Sequence, residues 1–241
     1  MATRKSRVII YQSRLHLAVT LLFIIAPFLF LLFFSRFANI ASSQLLSDVG
    51  ISSVRLIIAY FIAAALGWIF AVSFYRGRRA AVALPIFDVL QSFPTFALLP
   101  LTTLLWGATS FTIIFFLVIT VIWPLFFSII SSLKLIRRDW QEAVQIYELS
   151  GFNYFKIFLW PVSIPGLITG SIIGLGEGWE AMIATEIIVG MKSGLGSFFQ
   201  AYSTNVHVTI FGILGFLLLI FSINKIIWIP LLEWSHRKME E

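Results

Sequence analysis

The chain has 241 residues, of which 59% are hydrophobic and only 12% are charged. A soluble domain is typically about 45–50% apolar and about 25% charged, so the composition excludes a soluble globular protein and indicates a polytopic membrane protein. The net charge of +6 does not indicate a nucleic-acid partner, because the cations lie in short clusters between apolar runs. The absence of cysteine excludes disulfides and thiolate chemistry.

Six apolar runs are long enough to cross a bilayer, for which a helix needs about 20 residues. They cover residues 15–34, 50–74, 80–106, 109–132, 158–189 and 207–231. We expect bends or breaks in the third and fifth runs, which are long and rich in proline and glycine. The sequence therefore predicts an all-α membrane protein of about six spans. The chain divides into an N-terminal tail at 1–14, a first span with an outer loop at 15–49, a core at 50–231 and a C-terminal tail at 232–241.

Lysine and arginine are distributed unequally between the segments that connect these runs. Two alternate connections contain only Arg36 and Lys192. The tails and the remaining connections carry the larger groups Arg4, Lys5, Arg7, Arg14; Arg76, Arg78, Arg79; Lys134, Arg137, Arg138, Lys156; Arg237 and Lys238. Since cytoplasmic segments carry the excess of positive charge, both termini and the connection at 134–160 are predicted to be cytoplasmic.

The second and third runs differ in their small residues and prolines. The second run contains Ala63, Ala64, Ala65 and Gly67, which would let neighbouring helices approach closely. The third run contains Pro85, Pro94 and Pro100, together with the polar residues Asp88 and Gln91.

Residues 139–161 form a charged, amphipathic segment between the fourth and fifth runs. Its apolar residues fall near helical spacing, at Trp140, Val144, Tyr147 and Leu149. The positions between them are polar: Asp139, Glu142, Gln145 and Glu148. The pattern predicts a short surface helix, a turn at Ser150-Gly151, and a second short helix that re-enters the membrane past Pro161 and Pro165. On composition alone, the segment could equally be an ordinary solvated loop between two membrane helices.

The fifth run carries a glycine at every fourth residue, Gly166, Gly170, Gly174 and Gly178. This repeat lines one helix face with bare backbone. The simpler interpretation is close packing against a neighbouring helix. The alternative is a smooth wall of a translocation route at a dimer interface.

The amphipathic segment also carries a resemblance to a known family. Glu142-Ala143-Val144, followed by Phe155, Pro161, Pro165 and Gly170, resembles the cytoplasmic EAA loop of binding-protein-dependent ABC transporter permeases. That family commonly has glycine at the position of Glu148. The second and third runs are similar to the family's core helices, so the resemblance covers about residues 50–200. Within the family, Leu149-Ser150-Gly151 and Thr185-Glu186 resemble the nitrate, sulfonate, taurine and bicarbonate importer group.

This resemblance implies a permease subunit of the inner membrane that imports a small anion. The loop would carry a coupling helix that docks on a separate ATPase subunit, which binds ATP and Mg, through Glu142, Ala143, Val144, Tyr147, Ser150 and Gly151. A second permease copy, or a paralogous permease, would complete the path across the lipid bilayer. A solute-binding protein would deliver the cargo at the outer face.

Ionisable residues within the apolar runs are costly in hydrocarbon and should face protein or water. They are Arg55, Asp88, Glu177, Glu180, Glu186 and Lys225. Similar depths predict that Asp88 pairs with Lys225 and that Arg55 pairs with Glu186. Otherwise Arg55, Asp88, Gln91 and the three glutamates are candidates for lining a translocation path. A proton relay through the glutamates would instead make the protein a secondary transporter, which is the alternative function.

Catalytic and nucleotide-binding motifs are absent from the sequence. The segment GMKSGLG at 190–196 lacks the spaced glycine of a phosphate-binding loop. The three histidines are scattered and form no H-E-x-x-H pair, so no metal site is expected. We therefore expect no enzymatic activity and no cofactor in this chain.

Overall fold

The computed structural model describes the backbone of residues 2–240 and the side chains of residues 19–27, 29–235 and 237. The described part of the chain contains helices and no strand, which confirms the all-α prediction. The helices are α1 (Ala2–Phe37), α2 (Ser42–Phe74), α3 (Gly77–Gln91), α4 (Leu99–Trp106), α5 (Ser110–Lys134), α6 (Arg138–Ile146), the single turn α7 (Gly151–Asn153), α8 (Trp160–Val189), α9 (Leu195–Ala201), α10 (Val206–Ile223) and α11 (Ile229–Glu240).

The predicted number of spans is confirmed. Five helical stretches are long and apolar enough to cross a membrane, namely Val19–Phe37, Ser42–Phe74, Ser110–Lys134, Gly151–Val189 and Val206–Ser235. The bent pair Gly77–Gln91 and Thr95–Trp106 supplies a sixth. The second span begins at Ser42 rather than at residue 50. Its first two turns contain serine, glutamine and aspartate, which a search for apolar runs excludes although they are helical.

The two proline-rich runs behave differently. The third is broken as expected, with a bend of 72° between α3 and the 3₁₀ turn at Thr95–Leu98 that leads into α4. The fifth run was expected to bend or break as well, and it contains no break, because α8 is continuous from Trp160 to Val189. Pro161 lies in its first turn, where a missing N–H is tolerated. The irregular part is the wide π-helical turn at Tyr154–Leu159 just before it.

The core consists of α2, α5 and α8, with α5 in the middle. Fully buried side chains occur along the length of α5, for example at Ile113, Val121 and Ile129. On α2 the small residues Ala63 and Gly67 face this helix, and a Cβ on Gly67 would lie 3.4 Å from the Ile122 carbonyl oxygen. The first and last spans pack against each other outside this core.

The glycine repeat of α8 lies against α5. A Cβ on Gly166 would lie 2.6 Å from the Ser128 carbonyl oxygen, and one on Gly170 would lie 2.7 Å from Leu125 Cα. At Gly174 the nearest atoms are Cγ1 and the carbonyl oxygen of Val121, and at Gly178 they are side-chain atoms of Leu56 and Val121. The repeat is therefore covered within one chain, and its interpretation as the wall of a route between two copies is wrong.

Candidate functional site

The loop between the fourth and fifth spans presents a short helix to the outside of the bundle. Helix α6 is only nine residues long, and Asp139 in its first turn interacts favourably with the helix dipole. Trp140 packs on the core cluster that contains Ile129, Leu133 and Leu159 at the ends of α5 and α8. The half-buried Trp140 face thus fixes α6 to both core helices.

The apolar positions predicted for this segment are correct at Val144 and Leu149, which are half-buried, and wrong at Tyr147. Tyr147 is 75% exposed and its neighbour Ile146 is 78% exposed. The helix ends at Ile146, and Tyr147 already has non-helical dihedral angles, so helical spacing does not extend to it. Of the other residues predicted for this loop, Ala143 is half-buried, whereas Glu142, Ser150 and Gly151 are exposed.

The turn after α6 places Glu148 in the left-handed region, with φ of 49°. The Leu149 N–H donates to the Val144 carbonyl at 3.0 Å, which closes the helix end. Glycine is the usual residue at such a position. Beyond the turn, Gly151–Asn153 continues through the π-helical turn into α8. The predicted second short helix is therefore the start of the fifth span.

We expect Glu148→Gly to stabilise the loop by about 0.5–1 kcal/mol, because glycine adopts positive φ without steric cost. Hydrogen–deuterium exchange of residues 138–150 should slow relative to the wild type. Gln145→Gly, inside α6, is the matched control and should accelerate exchange, since glycine in a helix interior costs about 1 kcal/mol. Faster exchange in Glu148→Gly would contradict the role of the left-handed turn.

Exposed apolar side chains cluster on this loop. Ile146, Tyr147 and Phe152 are 78%, 75% and 72% exposed. We call these three residues, together with Glu142, the docking surface. Ile146 and Tyr147 lie at the end of a charged helix and outside the apolar spans, whereas Phe152 lies in the first turn of the Gly151–Val189 stretch. Exposed apolar side chains next to a charged helix are candidates for a contact with another protein.

A buried polar cluster lies at the opposite end of the core helices. The Arg55 Nη1 atom of α2 is 2.6 Å from Glu186 Oε1 of α8, and the two residues are 5% and 0% exposed. Arg55 also donates to the Ser193 carbonyl at 3.0 Å and to Ser110 Oγ at 3.1 Å. The structure thus brings together the two residues that the sequence predicted to pair.

Two further residues of α2 complete this cluster, and the sequence analysis did not identify them as site residues. Ser52 Oγ donates to the Glu186 carboxylate at 2.9 Å and accepts from the Leu195 N–H. Asp48 accepts from the Gly194 N–H at 2.9 Å. Asp48, Ser52 and Arg55 follow one another at spacings of four and three, so they share one helix face. That spacing is the signal that could have identified them.

The segment GMKSGLG, which lacks the spaced glycine of a phosphate-binding loop, binds these carboxylates through its backbone. The Gly196 N–H donates to Glu186 Oε2 at 2.8 Å. A Cβ on Gly194 would lie 2.6 Å from Glu186 Oε1, so the carboxylate approaches the backbone closely only because side chains are absent. No buried polar side-chain atom among the described residues lacks a hydrogen bond. The cluster is closed, and it joins α2, α8 and α9.

The other ionisable residues of the spans are not paired in this way. Asp88 is exposed and accepts a hydrogen bond from Gln91 Nε2 at 2.8 Å. Among the described side chains no ion pair joins it to Lys225, so that predicted pair is wrong. Similar depth was insufficient, because α3 packs on α2 and not on the last span. Glu177 and Glu180 are exposed on α8.

Comparison with known proteins gives a family for the chain's core. The model of the family described as "Binding-protein-dependent transport system inner membrane component" matches residues 63–229. The nitrate import permease protein NrtB of Synechocystis sp. is 30% identical over 175 residues, which are 69% of this chain and 63% of that protein. The bicarbonate transport system permease protein CmpB of Synechococcus elongatus is 26% identical over 156 residues, or 64% of this chain and 56% of that protein.

A further relative is the taurine transport system permease protein TauC of Escherichia coli. It is 27% identical over 117 residues, which are 48% of this chain and 42% of that protein. The alignments with NrtB of Synechocystis sp. and of Leptolyngbya laminosa span 63% and 57% of those proteins' length. The residues of this chain that the family model matches include α6, α8 and the third span.

Proposed function

The chain belongs to the family of binding-protein-dependent transport system inner membrane components, and from that membership we propose that it is the permease subunit of an ATP-driven importer. The observation that carries the proposal is the docking surface, whose exposed apolar side chains lie at the end of the short helix α6 and in the turn that follows it. An ATPase subunit with a complementary groove would cover it. The hydrolysis of ATP, with its Mg, then takes place in that partner and not in this chain.

The packing of α6 provides a route for force transmission. Trp140 of α6 and Tyr154 before α8 pack on the same core cluster, which includes Ile129 of α5 and Leu159. A displacement of α6 by the ATPase would therefore move the ends of α5 and α8 together. The glycine repeat holds these two helices in backbone contact, so they would move as one unit.

The uncovered face of α8 supports an assembly of two permease subunits. Thr169, Glu177 and Glu180 are exposed there although they lie within a span. Polar side chains within a span face protein or water rather than lipid. We propose that this face lines the path enclosed with a second copy of the chain or with a paralogous permease.

The proposed orientation places both termini and the docking surface in the cytoplasm. It follows from the positive-inside rule, since Arg76 in the α2–α3 turn borders the same cleft as α6, and Arg78 and Arg79 follow it in the first turn of α3. A solute-binding protein would then meet the opposite face. The named cargoes of the relatives are nitrate, bicarbonate and taurine, so we propose a small anion of this class as the cargo.

The alternative of a proton-driven secondary transporter is less well supported. Glu186 is fully buried, and its carboxylate accepts from Arg55, Ser52 and Gly196. Glu186 therefore joins α2, α8 and the start of α9 and does not line an open path. Transport by the first mechanism should continue when the proton gradient is collapsed.

The docking surface is tested by Tyr147→Ala and Glu142→Arg. Both side chains are exposed, so the fold should persist while affinity for the ATPase subunit falls about 30-fold, as expected for an interface hot spot of about 2 kcal/mol. Binding to the purified ATPase subunit measures this. Leu22→Ala, an exposed apolar side chain of the first span, is the control and should leave affinity unchanged. Equal affinity of all variants and wild type would exclude α6 as the docking helix.

A further inference from the structure

Arg76, in the turn between α2 and α3, is held between two tyrosine rings. Its guanidinium carbon lies 5.1 Å from the centroid of the Tyr75 ring and 5.9 Å from that of Tyr154. The two tyrosine hydroxyls are hydrogen-bonded to each other at 3.0 Å. Burial and this hydrogen bond raise the pKa of Tyr75 above its ordinary value. Cation–π contacts thus fix the position of the guanidinium.

This arginine borders a cleft between the α2–α3 turn and the loop that carries α6. The cleft has a volume of ≈ 350 Å³ and is lined by Arg76, Gln141, Gln145, Ser150, Gly151 and Tyr154 among others. None of its lining residues is acidic. Among the described side chains Arg76 makes no ion pair. The cleft therefore presents an ordered positive charge and two amides with no carboxylate to meet them.

We propose that an acidic side chain of the ATPase subunit binds Arg76 in this cleft, so that docking involves the α2–α3 turn as well as α6. This inference rests on the proposed function. A guanidinium fork binds a carboxylate through two parallel hydrogen bonds, and its fixed position reduces the entropy lost on binding. The position beside Gln141 and Ser150, on the same loop as the docking surface, favours a protein carboxylate over a lipid phosphate.

The contact would give Arg76 a role that its neighbours do not share. Arg78 and Arg79 are exposed in the first turns of α3, and no aromatic ring holds them. A partner bound to Arg76 would hold the start of the loosely packed third span together with α6. Docking would thereby couple the ATPase to both elements.

The experiment measures binding of the purified ATPase subunit to the full-length chain in nanodiscs of phosphatidylcholine. Arg76→Gln should weaken affinity about tenfold, and the difference from wild type should shrink at high salt. Arg76→Lys, which keeps the charge without the planar fork, should give an intermediate loss. Arg79→Gln, with the same change of charge in the same connection, is the control and should change affinity less than about twofold. Unchanged melting temperatures would show that the variants fold.

Three results would overturn the inference. Equal losses in Arg76→Gln and Arg79→Gln would indicate diffuse attraction rather than a defined contact. A difference that arises only when phosphatidylglycerol is added to the nanodiscs would assign Arg76 to lipid headgroups. Loss of binding in Tyr147→Ala with wild-type binding in Arg76→Gln would reject the cleft and leave the proposed function intact. Failure of the wild-type chain to bind any ATPase subunit would instead reject the proposed function itself.

Discussion

Arg55→Met is expected to lower the free energy of unfolding by about 3–5 kcal/mol, which is the range observed when one partner of a buried ion pair is removed. Its guanidinium is almost completely buried and donates to Glu186, Ser193 and Ser110. Methionine fills similar volume but leaves the Glu186 carboxylate with only its neutral donors. The melting temperature and the yield of detergent-purified protein should both fall sharply.

Glu186→Gln is expected to be less damaging than Arg55→Met. The cluster contains one buried cation and two buried carboxylates, because Asp48 is also buried. Removal of Arg55 leaves two negative charges without a cation, whereas removal of Glu186 leaves Arg55 with Asp48 nearby in the cluster. The double variant should be more stable than the sum of the single losses predicts, with a coupling of about 0.5–3 kcal/mol.

An exposed ion pair of similar length provides the matched control. Arg137 Nη2 lies 2.8 Å from Asp139 Oδ2, with side chains 67% and 72% exposed. Arg137→Met should change stability by less than about 1 kcal/mol, because surface pairs contribute little. Equal effects at Arg55 and Arg137, or strict additivity of the Arg55 and Glu186 variants, would show that burial does not set the strength of the first pair.

The two predicted intramembrane pairs show what the sequence can and cannot determine. Depth along a helix follows from residue number and helical rise, and Arg55 and Glu186 were correctly placed at similar depth. Depth says nothing about which helices are neighbours. The same reasoning failed for Asp88 and Lys225, because α3 packs on α2 and the break near Pro94 redirects the span.

Local exceptions to periodicity account for the other errors. The helical pattern was extended to Tyr147 and Leu149, although α6 ends at Ile146. Residues 42–49 were placed in a loop because they are polar, yet they are helical, and the Asp48 carboxylate among them accepts a hydrogen bond from the Gly194 N–H. A hydropathy pattern does not contain this contact, since its partners are about 140 residues away in the sequence.

Gly170→Ala is expected to destabilise the protein by about 1–3 kcal/mol, the usual cost of overpacking, and Gly170→Leu by more. The added Cβ would lie 2.7 Å from Leu125 Cα and 2.9 Å from the Pro124 carbonyl oxygen. Both atoms belong to the backbone, so the clash cannot be relieved by a side-chain rotation. Helix α5 would have to move away from α8 and would lose packing along the central contact of the core.

Glycines on the same helix supply graded controls for this prediction. At Gly174 the nearest atoms are Val121 Cγ1 and the Val121 carbonyl oxygen, both at 3.2 Å, so a smaller shift suffices and alanine should cost less. At Gly176 nothing lies within 4 Å, and alanine there should be neutral or stabilise by up to about 1 kcal/mol through its higher helix propensity. Melting temperatures in one detergent should therefore follow the order Gly176→Ala, Gly174→Ala, Gly170→Ala, from highest to lowest. Three equal melting temperatures would mean that backbone contact between α5 and α8 does not limit stability, and the two helices would then have no packing reason to move as one unit.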